Sequence, residues 1–133
     1  MSFSWAEAGH EDHDVLDVSN TGPPDLAAVR RWVEARLSTL DEEHRMDVVL
    51  VVTELLDNAY LHGGGAHQLR LRRTQSPCEV TVAVIDAGGG RPRIRVPDDD
   101  GGRGLRLVDR LCRAWGVDWH DEGKVVWGRV GRP

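Results

Sequence analysis

The spacing of apolar residues along the chain predicts three helices. From Leu26 to about Leu40, apolar side chains recur every three or four positions, as in an amphipathic helix that buries one face. A second predicted helix, over residues 41–63, is apolar almost all the way round, which is typical of a helix inside a core. A third is predicted to follow residues 101–104 and to run from Leu105 to Trp115.

Runs rich in β-branched or alternating residues predict five strands. These strands cover residues 15–18, 68–73, 79–86, 116–119 and 124–130. The order of elements predicts an α+β fold, a two-layer sandwich of a mixed, mostly antiparallel sheet with about three helices on one face. Residues 1–22 are expected to form a polar segment with an edge strand, and residues 23–133 a single domain.

Composition limits the classes of function. A chain of 133 residues can form one hydrophobic core, and a net charge of −5 provides no electrostatic attraction to nucleic acid. No apolar run is long enough to cross a membrane, and no signal sequence precedes the first helix, so a cytoplasmic protein is expected. Cys78 and Cys112 lack metal-binding spacing and are expected to be reduced packing residues.

A line of polar residues interrupts the apolar surface of the second predicted helix. Asp47, Glu54, Asn58 and His62 follow one another at spacings of seven, four and four, and therefore share one face. Burying a carboxylate and a carboxamide without partners costs roughly several kcal/mol, so such a line indicates a ligand site. A face that simply contacts water explains the helix equally well, and the helix alone does not decide.

Two other segments contain candidate chemistry. Asp86 ends an apolar strand beside Gly88 and Gly90, where its carboxylate could accept a hydrogen bond from an exocyclic amine such as that of adenine; the alternative is an Asx turn. Gly102 and Gly104 precede a helix N-terminus, whose N–H groups attract phosphate; the alternative is an ordinary glycine turn. Neither a P-loop nor a dinucleotide-binding fingerprint is present.

The same residues suggest roles around a nucleotide. The neutral side-chain oxygen of Asn58 suits Mg²⁺, a cation that is otherwise satisfied by phosphates and water. Glu54, one helical turn away, could position or deprotonate a nucleophile at the terminal phosphate.

The three motifs, in this order, resemble the boxes that define the GHKL ATPase superfamily of gyrase, Hsp90, histidine kinases and MutL. Glu54 to Asn58 reads E-x-x-x-N, Asp86 to Gly90 reads D-x-G-x-G, and Gly102 leads into G-x-G-L. The finer sequence, from Glu54 to Gly63, from Gly102 to Gly116 and from Gly123 to Trp127, resembles the compact branch of single-domain bacterial anti-sigma factors that are also serine kinases. The resemblance extends from about residue 24 to residue 130.

The resemblance implies two cofactors, ATP and Mg²⁺, and a role for each motif. It makes Asn58 the Mg²⁺ ligand and Glu54 the catalytic base. It places the adenine amine on Asp86, with Gly88 and Gly90 shaping the adenine pocket.

It also implies a phosphate-binding segment and protein partners. Gly102, the backbone of Arg103, and Gly104 would close on the phosphates in a box that ends at Leu105, and residues 91–101 would form a short lid. The implied partners are a sigma factor and a STAS-domain anti-anti-sigma protein, whose serine would be phosphorylated. A homodimer is implied as well.

Departures from the pattern motivate an alternative function. Asp57 stands where the branch usually has a small or hydroxylated residue, and residues 98–100 place three acids in the lid. The alternative is a nucleotide-binding module that sequesters a partner without phosphotransfer. A detached histidine kinase domain ranks lower, because the first helix contains no histidine. A serine hydrolase ranks lowest, because no serine has a GxSxG context.

Overall fold

The computed structural model of the protein describes residues 13–18, 25–62, 65–75, 78–86, 101–120 and 123–132. Its elements are β1 (His13–Asp17), α1 (Leu26–Arg36), α2 (Glu42–His62), β2 (Ala66–Gln75), β3 (Cys78–Asp86), α3 (Gly101–Leu111), β4 (Ala114–His120) and β5 (Gly123–Gly131). The predicted order of helices and strands is confirmed.

The five described strands form one open sheet in the order β1-β2-β3-β5-β4. All four of their pairings are antiparallel, so the sheet is antiparallel throughout the described strands rather than mixed. The strand predicted at residues 15–18 is present as β1 and lies at one edge. β3 lies in the middle of the sheet, which explains its apolar sequence.

Helix α2 is the centre of the second layer. It contacts α1 and α3 on either side and also contacts β2, β3 and β5. Neighbours in so many directions explain why its sequence is apolar almost all the way round. One large core includes side chains from all three helices and the sheet, which places the helices on one face of the sheet.

The alternation of side chains along β3 and β5 determines what reaches the site. In β3, Val80, Val82 and Val84 belong to the core shared with the helices. Because side chains two residues apart share a face of the sheet, Asp86 lies on this helix-covered face at the end of β3. Lys124 pairs with Asp86 in the register of β3 and β5 and lies on the same face.

The opposite face of the sheet carries a smaller apolar cluster. Ala83, Val125 and Trp127 are buried there, with Ile85 and Ala114 packed against them. The Arg129 guanidinium lies 5.5 Å from the centroid of the Trp127 ring, so an arginine stem covers part of this cluster.

The third helix differs from its prediction at both ends. It begins at Gly101, so the glycines predicted to precede it form its first turn, and it ends at Leu111. Trp115 lies in β4, paired with Gly128, instead of continuing the helix. Its indole N–H donates to Asp109 Oδ1 at 2.9 Å and thereby connects the strand back to the helix.

The start of α1 and the start of α2 are each held by one polar side chain. Asp25 is the N-cap of α1 and accepts hydrogen bonds from the Ala27 and Ala28 N–H groups. His44, buried in the first turns of α2, has its Nε2 2.8 Å from the carbonyl oxygen of Val130 in β5. None of the helices in the described part of the chain is both long and apolar enough to cross a membrane.

Candidate nucleotide-binding site

Glu54 and Asn58 lie one turn apart on α2 and are both half-buried. Three apolar residues between and beside them are buried: Leu55 and Leu56 are fully inaccessible, and Ala59 nearly so. Thr53, also on this helix, satisfies its hydroxyl by donating to the Val49 carbonyl at 2.9 Å. The polar line of α2 is therefore neither fully exposed nor sealed in the core. This accessibility suits side chains that meet a ligand.

The environment of Glu54 favours a protonated carboxyl group. Partial burial raises the pKa of Glu54, and the nearby Asp57 carboxylate raises it further. Asp57 itself is exposed. A carboxylate whose pKa is raised is a better proton acceptor than an ordinary surface glutamate.

Asp86 is buried at the end of β3, with only 3% of its side chain exposed. Its Oδ2 lies 3.7 Å from Nζ of Lys124, whose side chain is 16% exposed. The lysine charge offsets part of the cost of keeping this carboxylate away from water. A buried carboxylate on the helix-covered face could accept a hydrogen bond from the exocyclic amine of a bound base.

The predicted phosphate-binding residues form the N-terminus of α3. Gly102, Arg103 and Gly104 lie in its first turn, and Leu105, in the next, is half-buried. The first N–H groups of a helix have no acceptor within the helix, and its dipole attracts anions there. Since α2 packs against both α3 and β3, the three predicted parts of the site lie on adjacent elements.

Several predicted site residues lie outside the described residues. These are Gly88 and Gly90, residues 91–100 of the predicted lid, and the side chains of His62 and Arg103.

The described side chains could bind Mg²⁺ only together with a ligand that supplies further oxygen atoms. In those parts of the chain, no three His, Cys, Asp or Glu side chains are arranged to hold a metal ion. A Mg²⁺ ion beside Asn58 would therefore complete its coordination with phosphate oxygens and water, which is its usual habit in nucleotide sites. The half-buried amide oxygen of Asn58 fits that arrangement.

Sequence reasoning missed Lys124. None of the three sequence boxes includes it, because its partner Asp86 lies on another strand and only the sheet register brings them together. The one signal available was its rarity, as it is the only lysine among 133 residues.

One protein family and one solved structure show what this chain is similar to. Residues 20–129 match the family model described as a histidine kinase-like ATPase domain. The fold is similar to the histidine kinase domain of the blue-light activated histidine kinase EL346 from Erythrobacter litoralis, with a TM-score of 0.51 at 20% identity. That similarity covers 86% of this chain and 66% of the kinase domain. No curated protein matches the chain.

The family match spans most of the chain and includes Glu54, Asn58 and Asp86. The chain therefore belongs to the histidine kinase-like ATPase (GHKL) family of ATP-binding, kinase-like domains.

Proposed function

We propose that the protein binds Mg²⁺-ATP and transfers the terminal phosphoryl group to a serine of a protein partner. The observation that carries this proposal is the pairing of Glu54 and Asn58 on α2. One is a half-buried carboxylate with a raised pKa, and the other is a half-buried neutral oxygen ligand one turn away.

Each of the candidate site residues has its own part in the proposed reaction. Asp86 accepts a hydrogen bond from the adenine amine, and the first N–H groups of α3 hold phosphate oxygens. Asn58 would hold Mg²⁺, which would neutralise phosphate charge. Glu54 takes the serine hydroxyl proton while the serine oxygen forms its bond to the terminal phosphorus. The bond from that phosphorus to the bridging oxygen breaks, and ADP leaves.

The biological role we propose is that of an anti-sigma factor. Its partners would be a sigma factor and a STAS-domain anti-anti-sigma protein that carries the acceptor serine, in the cytoplasm, with the protein acting as a homodimer. The residues of the three sequence boxes, and their order in the chain, support this assignment.

Calorimetric titration with Mg²⁺-ATP tests the binding step. We expect binding by the wild type and an affinity at least about tenfold lower for Asn58→Ala, because a cation ligand is lost. Asp47→Asn is a matched control, since Asp47 is a half-buried polar residue on the same helix. Absence of ATP binding by the wild type would refute the proposed function.

Transfer of label from γ-³²P-ATP to a purified STAS-domain protein tests the chemical step. Glu54→Gln should bind Mg²⁺-ATP and yet transfer at least about a hundredfold more slowly, because the proton acceptor is gone. Equal rates of phosphotransfer by the wild type and Glu54→Gln would show that Glu54 is not the proton acceptor.

A second candidate function is partner sequestration without phosphotransfer. The observation in its favour is Asp57, whose charge lies beside Glu54 and would also repel phosphate oxygens. Under this alternative, Glu54→Gln leaves regulation of the sigma factor unchanged in cells. Loss of regulation in that variant would favour the kinase.

A further inference from the structure

We infer that Lys124 is a specificity-determining residue. Its ammonium group donates a hydrogen bond to N1 of adenine, next to the exocyclic amine that donates a hydrogen bond to Asp86. This inference rests on the proposed ATP site and adds a residue that the three sequence boxes do not include.

The sheet register places the two groups together. Asp86 ends β3, Lys124 lies near the start of β5, and the two residues are direct partners in the antiparallel pairing. Both side chains lie on the face that the helices cover, with Nζ and Oδ2 3.7 Å apart. Both are also largely withdrawn from water, at 16% and 3% exposure. A hydrogen-bond donor and an acceptor thus lie side by side in a poorly hydrated position.

The chemistry of this pair matches one edge of adenine. That edge presents an amine, which donates, next to the ring nitrogen N1, which accepts. An ionised carboxylate only accepts and an ammonium group only donates, so each can serve one of these two atoms. An ammonium group has three N–H donors, so it can contact a carboxylate and a ring nitrogen at the same time.

The same pair would disfavour guanine in this orientation. Guanine presents a carbonyl oxygen where adenine presents its amine, and that oxygen would face the Asp86 carboxylate. A buried acceptor facing another acceptor is costly, so a site of this kind discriminates strongly between bases.

A purely structural role for Lys124 makes a different prediction. If Lys124 only balances the charge of Asp86, its removal weakens the binding of every purine nucleotide to the same extent. If it also contacts N1, its removal weakens the nucleotides that have N1 more than those that lack it.

The test is calorimetry with ATP and 1-deaza-ATP, in which a C–H group replaces N1, using the full chain and Mg²⁺. We expect the wild type to bind ATP about tenfold or more tightly than 1-deaza-ATP, as expected for one charge-assisted hydrogen bond. In Lys124→Met the two affinities should agree within about twofold. The same ATP preference in Lys124→Met and wild type would overturn the inference.

Two further variants serve as controls for Lys124→Met. Lys124→Arg retains a donor and should retain the preference for ATP. Arg132→Met removes a cation from an exposed ion pair with Asp41, remote from Asp86, and should leave both affinities unchanged. If Lys124→Met does not fold, the wild type decides alone, since equal affinity for the two nucleotides already excludes an N1 contact. A wild type that binds neither nucleotide refutes the proposed function itself.

Discussion

At the scale of single residues, the pKa of Glu54 connects stability with function. Burial and the Asp57 charge raise this pKa above its usual value of 4.5, so the folded protein binds the proton more tightly than the unfolded chain. Above about pH 4.5 the folded state therefore holds more protons, and the free energy of unfolding falls as pH rises through the folded pKa.

Glu54→Gln should consequently stabilise the ligand-free protein at neutral pH. The gain should be less than about 1 kcal/mol, because water screens a partly exposed carboxylate, and it should vanish below about pH 4. Urea denaturation of both forms at pH 4 and pH 7 measures it. A stability loss at pH 7 would show that the carboxylate makes a favourable contact in the folded state.

Asp57→Asn should lower the pKa of Glu54, because it removes the second cause of the shift. If Glu54 accepts the serine proton, the midpoint of the rising limb of phosphotransfer against pH should move to lower pH. Asp47→Asn, on the same helix, should leave that midpoint unchanged. Rates measured from pH 5 to pH 9 provide the comparison.

The sequence was sufficient to select Glu54, Asn58 and Asp86 as candidate site residues, because each selection depends on local spacing or on a strand end. It was insufficient for Lys124, whose role depends on the pairing of β3 with β5. It also left His44 unnoticed, because the hydrogen-bond partner of that side chain lies on β5.

At the scale of elements, the N-cap of α1 makes a simple test. Asp25→Ala should lower the free energy of unfolding by about 1 kcal/mol, because the Ala27 and Ala28 N–H groups lose their acceptor. Asp25→Asn is the matched control and should cost less, since its amide oxygen can still accept. Equal losses in the two variants would indicate that the charge, and not the cap, stabilises the helix. Urea denaturation distinguishes them.

The packing of β5 against the end of α3 depends on a glycine. A Cβ atom at Gly128 would lie 2.7 Å from Sγ of Cys112, closer than van der Waals contact allows. Gly128→Ala should therefore destabilise the protein by about 1–3 kcal/mol.

Cys112→Ala provides the control for this clash. It removes the sulfur that meets the new methyl group, so the double variant should be more stable than the sum of the two single losses predicts. Strict additivity would place the cause of the Gly128→Ala loss elsewhere. Chemical denaturation of the four proteins completes the cycle.

Burial raises the pKa of Cys112 to about 12, with a contribution from Asp109, so the thiol stays protonated at neutral pH.

The boundary between α3 and β4 shows where pattern reasoning fails. Leu111 and Trp115 are four residues apart, which predicts a shared helix face. In the structure the Arg113 N–H donates to the Arg129 carbonyl at 2.8 Å, and β4 follows at once along β5. This tertiary pairing overrides the helical period that apolar residues from Leu105 to Trp115 follow in the sequence.

At the scale of the whole molecule, β3 should be the last strand to exchange its amide hydrogens. It lies between β2 and β5 beneath α2, whereas β1 and β4 lie at the edges of the sheet. We expect amides of Val82 and Val84 to exchange only through global unfolding, and those of His13–Asp17 through local opening. Native-state hydrogen exchange across a denaturant series measures both. Uniform exchange across the sheet would instead indicate a single cooperative unit.

The fold class was predictable because the apolar pattern of α2 and β3 requires two layers around one core. The all-antiparallel arrangement was not, since strand order depends on which connections pass over the sheet. No local residue pattern indicates that β5 lies next to β3, with β4 at the edge.

The single lysine of the chain also makes its site chemically addressable. An amine-acylating reagent can modify just one side chain in these 133 residues, so the product differs from the N-terminally labelled protein by one mass increment. A nucleotide lying against Lys124 would slow that reaction, and labelling would report occupancy without mutation or radioactivity. Enzymatic acetylation at this one position would likewise erase the only side-chain ammonium group of the chain, leaving the Asp86 carboxylate without its cationic neighbour.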